Sequence, residues 1–194
     1  MEQTVAAACP MCADQDGLRL RTHIDDIPYF GEHTQVTLLC MACGWRQTDL
    51  IPAEGIEPCA WSLVIEGPQQ LRARVVRSTA CTVRIEELDL EVAPGSSSTG
   101  YVSNVEGVLA RFLDVLDIVE RDVAEDEPAM AQLKGMRLAL GQAILGAPAS
   151  PLTLTLLDPS GRSLIVDDDA QRRLLTDEEL AALPTGPEVP VFSA

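Results

Sequence analysis

Four cysteines in two close pairs, Cys9-Pro10-Met11-Cys12 and Cys40-Met41-Ala42-Cys43, are the residues of this chain whose type and spacing can do chemistry. A gap of two residues lets both sulfurs of a pair face one ion, and two such pairs complete a tetrahedron of thiolates, a donor set that suits zinc. Four protein ligands close the coordination sphere, so the expected ion is structural and leaves no position for water or substrate. Redox dithiols are the competing reading, but a thioredoxin-type motif is single and sits at a helix start. Gly44 follows the second pair, where a side chain would obstruct the turn and the approach of backbone amides to sulfur. Cys81 alternates with Val83 and Ile85 and reads as a small core residue, and Cys59 as a lone thiol beside a proline. The two histidines, His23 and His33, lie near the cysteine pairs, where a partly exposed or hydrogen-bonded role is expected; the rest of the chain has none for a catalytic metal. Trp45 and Trp61 read as packing residues. With neither a glycine-rich phosphate loop nor a Gly-x-Ser-x-Gly elbow, no catalytic or cofactor-binding residue is assigned, and no enzyme activity or small-molecule substrate is expected.

The bulk composition narrows the partners. The chain has 194 residues and a formal net charge of −16, and Lys134 is its one lysine beside thirteen arginines. Residues 1–50 hold seven acidic and three basic side chains, so the basic face that phosphate neutralisation requires is missing. A zinc-ribbon nucleic-acid-binding or regulatory module is therefore the alternative reading, ranked below protein binding. No apolar run approaches the roughly eighteen residues of a membrane span, and no basic-then-apolar leader opens the sequence. A cytoplasmic location is expected, where reduced thiols again favour a metal over disulfides.

The elements that must position the cysteines are short. Between the pairs, residues 18–24 and 35–39 read as strands, with a turn at Gly17 and the segment Pro28-Tyr29-Phe30 between them. About forty residues with so few apolar side chains cannot fold by burial alone, which gives the ion its energetic role. From Trp61 onward period-two alternation predicts strands through Leu63 and Ile65, then Leu71, Val75 and Val76, then Cys81, Val83 and Ile85. At Glu86-Glu87 the parity shifts toward Leu88, Leu90 and Val92, as a β-bulge would make it. Ser103-x-x-Glu106 has capping-box spacing, and Val105, Val108, Leu109, Phe112, Leu116 and Val119 fall on one helical face. A second helix is expected to open at Pro128, carry Leu133, Met136, Leu140 and Ile144 inward, and stop at Gly146. Residues 152–157 and 163–166 then read as a hairpin around the turn Asp158-Pro159-Ser160-Gly161, and Thr176 opens a short capped helix. The pattern predicts a mixed, mainly β fold, a sandwich or barrel with a helical insertion, after a zinc-ribbon-like finger. The divisions are residues 1–52 for the four-cysteine zinc finger, 53–175 for the β domain with its helical hairpin at about 103–146, and 176–194 for a short helix and loose tail.

These segments, taken in order, resemble the ZPR-type zinc-finger family. The resemblance rests on Cys9-Pro10-Met11-Cys12, Ile27-Pro28-Tyr29-Phe30, Cys40-Met41-Ala42-Cys43-Gly44-Trp45-Arg46, Val75-Val76-Arg77-Ser78, residues 85–92, Val105-Glu106-Gly107-Val108-Leu109 and residues 158–163. It spans residues 9 to about 166. Eukaryotic members are similar but carry two modules, so a lone module looks like the archaeal form. The resemblance implies a zinc finger followed by a double-stranded β-helix, or jelly-roll-like, domain with a helical hairpin. It also implies partnership with translation elongation factor one-alpha, the GTPase that delivers aminoacyl-tRNA, and a folding-chaperone role toward it. Pro28, Tyr29 and Phe30, the zinc knuckles, and Arg74 with Arg77 are the expected contacts, since aromatics and arginines anchor interfaces. Arg162 stands where the family leads one to expect asparagine.

Overall fold

The computed structural model describes residues 1–27, 31–52 and 57–184. Its first part is an antiparallel four-stranded sheet in sequence order, β1 (Glu2–Thr4), β2 (Leu18–Ile27), β3 (Gly31–Cys40) and β4 (Arg46–Pro52). β2 and β3 pair from Leu18 opposite Cys40 to Ile27 opposite Gly31, so the cysteine-bearing end of the hairpin is fixed by its register. Both strands run longer than the alternation predicts, and β1 and β4 were not foreseen. Leu18, Leu20, Val36 and Leu38 alternate inward with Val5 and two of the cysteines to make a small core.

The remaining strands form two sheets. In chain order they are β5 (Cys59–Ile65), β6 (Arg74–Arg77), β7 (Thr82–Ile85), β8 (Leu90–Val92), β9 (Tyr101–Asn104), β10 (Leu152–Asp158), β11 (Leu164–Val166) and β12 (Gln171–Leu174). One sheet has the order β12-β5-β10-β7-β8 and the other β11-β6-β9. The strands before and after the helical insertion share a sheet as expected, because β10 lies between β5 and β7. Every residue of β10 but Thr153 is buried, as befits a central strand.

The insertion is a hairpin of α1 (Val105–Asp122) and α2 (Glu127–Ile144). Val105, Val108, Leu109, Phe112 and Leu116 of α1 and Leu133, Leu140 and Ala143 of α2 join Leu63, Ile65, Val75, Ile85 and Leu154 in one core. On the outside of the hairpin Arg137 bridges Asp117 at 2.5 Å and Glu120 at 2.8 Å. A last helix, α3 (Asp177–Ala182), carries the predicted capping box of Thr176 and Glu179.

Several local expectations are corrected. Leu71 lies in a 3-10 turn, Gln70–Arg72, and not in a strand. The parity shift at Glu86 is a 3-10 turn, Glu86–Leu88, closed by Asp89 at φ 49°; it reverses the chain so that β7 and β8 pair, with no bulge. β10 and β11 belong to different sheets and form no hairpin, because the buried turn between them redirects the chain. Val119 is exposed, although Val123 one turn further on still packs against the core. The cap of α1 is Asn104, not Ser103, and its side-chain oxygen accepts from Gly107 N at 2.9 Å. Replacing it, Asn104→Ala, is expected to cost about 1 kcal/mol, read as a fall in Tm of roughly 2–4 °C.

Candidate metal centre

The two knuckles are built alike. Ala13 N donates to Cys9 O at 2.9 Å and Gly44 N to Cys40 O at 2.9 Å, so each pair closes a tight turn whose last residue is left-handed, Ala13 at φ 59° and Gly44 at φ 76°. Nothing lies within 4 Å of where a Gly44 Cβ would stand, so the glycine serves its backbone angle and not a close approach, which corrects the expectation above. Met41 N donates to Gly17 O at 2.8 Å, tying the second knuckle to the turn after the first. A backbone amide also reaches sulfur, Met11 N to Cys9 Sγ at 3.4 Å.

The register of β2 and β3 thus brings four sulfurs together. Cys9 and Cys43 are 3.8 Å apart, Cys12 and Cys40 3.7 Å, and all four lie within 4.8 Å of one another. A tetrahedron with zinc–sulfur bonds of about 2.3 Å has edges of about 3.8 Å, whereas a disulfide needs about 2.05 Å, so the cluster has the size of a zinc site and not of a disulfide. As free thiols the four compete for charge. At Cys9, burial opposes ionisation but is outweighed by hydrogen bonds from the Cys12 and Met11 backbone and from neighbouring thiols, which hold its pKa at about 7. At Cys12 the strongest influence, the backbone at Asp14, favours the thiolate, yet the neighbouring thiols and burial push the pKa up to about 12. Four thiolates this close require a cation, and the ion this donor set fits is zinc.

Cys59 and Cys81 lie outside the cluster and are buried. Burial raises the Cys59 thiol and, with Asp158, pushes Cys81 up to about 12, so both behave as inert core residues. His33 is buried and His23 exposed, and neither joins the sulfurs. Of the expected partner contacts, Arg74 is exposed. Arg77 is 7% exposed, and its guanidinium donates inward to Cys81 O at 2.7 Å and to Ser98 Oγ at 2.9 Å, which removes it as a surface anchor. Pro28, Tyr29 and Phe30 lie outside the described residues. Met11 and Met41, one on each knuckle, are 64% and 62% exposed.

A second constellation, not foreseen, fixes this sheet to the rest of the molecule. Asp49 of β4 is 1% exposed and accepts from Thr79 N at 3.1 Å, Thr79 Oγ1 at 3.2 Å and Arg162 at 2.8 Å. Gly100 packs against it, and its amide donates to Thr48 O at 2.7 Å. Arg162 is aimed by a turn wrapped around the buried Asp158 carboxylate. That carboxylate accepts from the amides of Ser160, Arg162 and Ser163 and from the hydroxyls of Ser160 and Ser163. Gly161, at φ 67°, passes the Glu57 backbone where a Cβ would collide. The sequence offered only the unusual arginine as a signal.

Residues 69–181 match the family described as the ZPR1 jelly-roll domain. A ZPR1-like protein of Pyrococcus horikoshii is 36% identical over 184 residues, which cover 93% of this chain and 81% of that one. A ZPR1-like protein of Methanocaldococcus jannaschii is 36% identical over 186 residues, 96% of this chain and 92% of its own. The zinc finger chaperone zpr1 of Schizosaccharomyces pombe is 29% identical over 167 residues, 84% of this chain but 35% of that longer protein. Such relatives are described as zinc finger proteins and a chaperone, and none of these descriptions is of an enzyme. With a family match over more than half its length and archaeal relatives aligned along nearly all of it, this chain belongs to the ZPR1 family, as a zinc-binding member with a four-cysteine finger and a jelly roll.

Proposed function

We propose that this protein is a non-enzymatic, zinc-dependent binding partner of the elongation factor one-alpha GTPase and assists its folding in the cytoplasm. The observation that carries this reading is the form of the metal centre: a closed cage of four thiolates with an exposed methionine on each knuckle. Such an ion has no open position for chemistry, and what it contributes is a rigid surface. Met11 and Met41 suit that surface, since methionine adapts its flexible, polarisable side chain to a partner. The chaperone description of the fission-yeast relative supports the same reading. Within it, Arg74, the segment Pro28-Tyr29-Phe30 and the two knuckles are the contacts assigned, and Arg77 is not.

Purified, zinc-loaded protein is expected to bind the elongation GTPase of its own source and to raise its refolding yield. Met11→Ser with Met41→Ser is expected to weaken the complex about tenfold or more, the scale of a lost apolar anchor. A chain that neither forms the complex nor alters the refolding yield contradicts the proposal. Among the described residues no helix is long and apolar enough to cross a membrane.

A further inference from the structure

A cavity of about 440 Å³ opens between α1 and the segment that follows β8, remote in sequence from the four cysteines of the metal centre. That is within the size range of small-molecule sites. Its walls are apolar where Val83, Val92, Val108, Phe112 and Val115 line it. Two arginines, Arg77 and Arg111, line it as well. Arg77 and Arg111 both lie over the ring of Tyr101, 5.7 Å and 4.2 Å from its centre.

The charge of these arginines is not balanced by ion pairs. Arg77 is buried, and every acceptor it meets is neutral: Ser98 Oγ, Thr99 O and Cys81 O. Arg111 donates to Gly107 O at 3.3 Å. Among the described residues neither forms an ion pair, although the chain carries a net charge of −16 and Arg21, Arg137, Arg162 and Arg173 each have a carboxylate. A buried cation without a counterion is unfavourable, so a site that keeps one is suited to an anion. Asp114 lines the same cavity without pairing with either arginine, so the charged residues on its walls are two arginines and one aspartate. The planar, forked guanidinium matches a carboxylate, and the valine and phenylalanine walls match a hydrocarbon body.

We infer that this cavity binds a small apolar monocarboxylate, held at its acid group by Arg111 and Arg77 and along its hydrocarbon body by Val83, Phe112 and Val115. It is a ligand and not a substrate, and its site is independent of the zinc centre.

Octanoate is the probe, with octan-1-ol as its uncharged counterpart, titrated into the zinc-loaded full chain by calorimetry and by amide chemical shifts. Octanoate is expected to bind saturably, one per chain, with shifts centred on Val92, Tyr101 and Val115, and more weakly as salt is raised. Arg111→Gln, at an exposed position, is expected to weaken octanoate about tenfold, the scale of one charge-assisted hydrogen bond, and to leave octan-1-ol unchanged. Val115→Trp fills the cavity and is expected to abolish both, with an unchanged melting profile showing that the variant is folded. The shift mapping on the unsubstituted chain needs no variant to be read. Absence of saturable octanoate binding, equal affinity for the alcohol, or shifts that fall elsewhere overturns the inference.

Discussion

Stripping zinc from this protein is expected to unfold the four-stranded sheet of β1 to β4 and to leave the jelly roll intact. The core of that sheet consists of Val5, Leu18, Leu20, Val36 and Leu38 besides the cysteines Cys9 and Cys40. So small a core cannot offset the ordering of some fifty residues. Binding at a four-cysteine site is worth on the order of 10–16 kcal/mol in finger peptides, and because no preformed site exists in the unfolded chain this is folding free energy. Chelation, or Cys40→Ser, should therefore abolish hydrogen-exchange protection along β2 and β3, while protection in β5, β7 and β10 persists. The effect has a pH signature. Zinc-bound thiolates titrate far below ordinary thiols, so the stability they contribute is complete above the ordinary thiol range and is lost as pH falls through the bound-state values. The free cluster, with Cys9 at about 7 and Cys12 pushed up to about 12, must release protons to take the ion at neutral pH. Zinc retention measured against a chelator is expected to fall steadily from pH 8 to pH 5; retention independent of pH contradicts thiolate ligation.

Asp49→Ala is expected to have the second largest effect, about 3–5 kcal/mol. Its carboxylate is fully enclosed, and removing it leaves the Arg162 guanidinium, whose side chain is 20% exposed, without its partner and strands the Thr79 amide and hydroxyl. The loss is one of uncompensated desolvation more than of attraction, so removing both charges should cost less than removing one. In denaturant titrations Asp49→Ala is expected to be strongly destabilising, and Asp49→Ala combined with Arg162→Met markedly less than the sum of the two single changes. Additive single and double variants would show that the pair is not coupled. Because Asp49 is in the zinc-bearing sheet and Thr79, Gly100 and Arg162 are in the jelly roll, this joint holds one unit against the other.

The cysteine cage was legible in the sequence because one residue type at one spacing, used twice, admits few other uses. The inward face of α1 as far as Leu116 and the strand β10 were legible because their apolar residues repeat with the periods of a helix and a strand, whereas the central place of β10 in its sheet was not. The joint at Asp49 was not, since its partners lie 30 and 113 residues away in sequence and an aspartate inside a strand carries no local signal. The same holds for Arg77: a polar residue at the end of a strand reads as exposed until the loop bearing Ser98 and Thr99 is seen to cover it. Turn chemistry accounts for the errors at Glu86 and after Asp158. The left-handed Asp89 reverses the chain where alternation alone suggested continuation, and the buried Asp158 gathers five donors that turn β11 into the other sheet.

The measurement that bears most directly on the zinc cage is native mass spectrometry of the untagged chain with its cysteines varied in turn. One zinc per chain is expected, retained in Cys59→Ser and Cys81→Ser and lost in Cys9→Ser, Cys12→Ser, Cys40→Ser and Cys43→Ser, with exchange protection of β2 and β3 lost alongside it. A chain that carries no stoichiometric zinc, or that keeps the ion and the folded sheet after Cys40→Ser, contradicts the account.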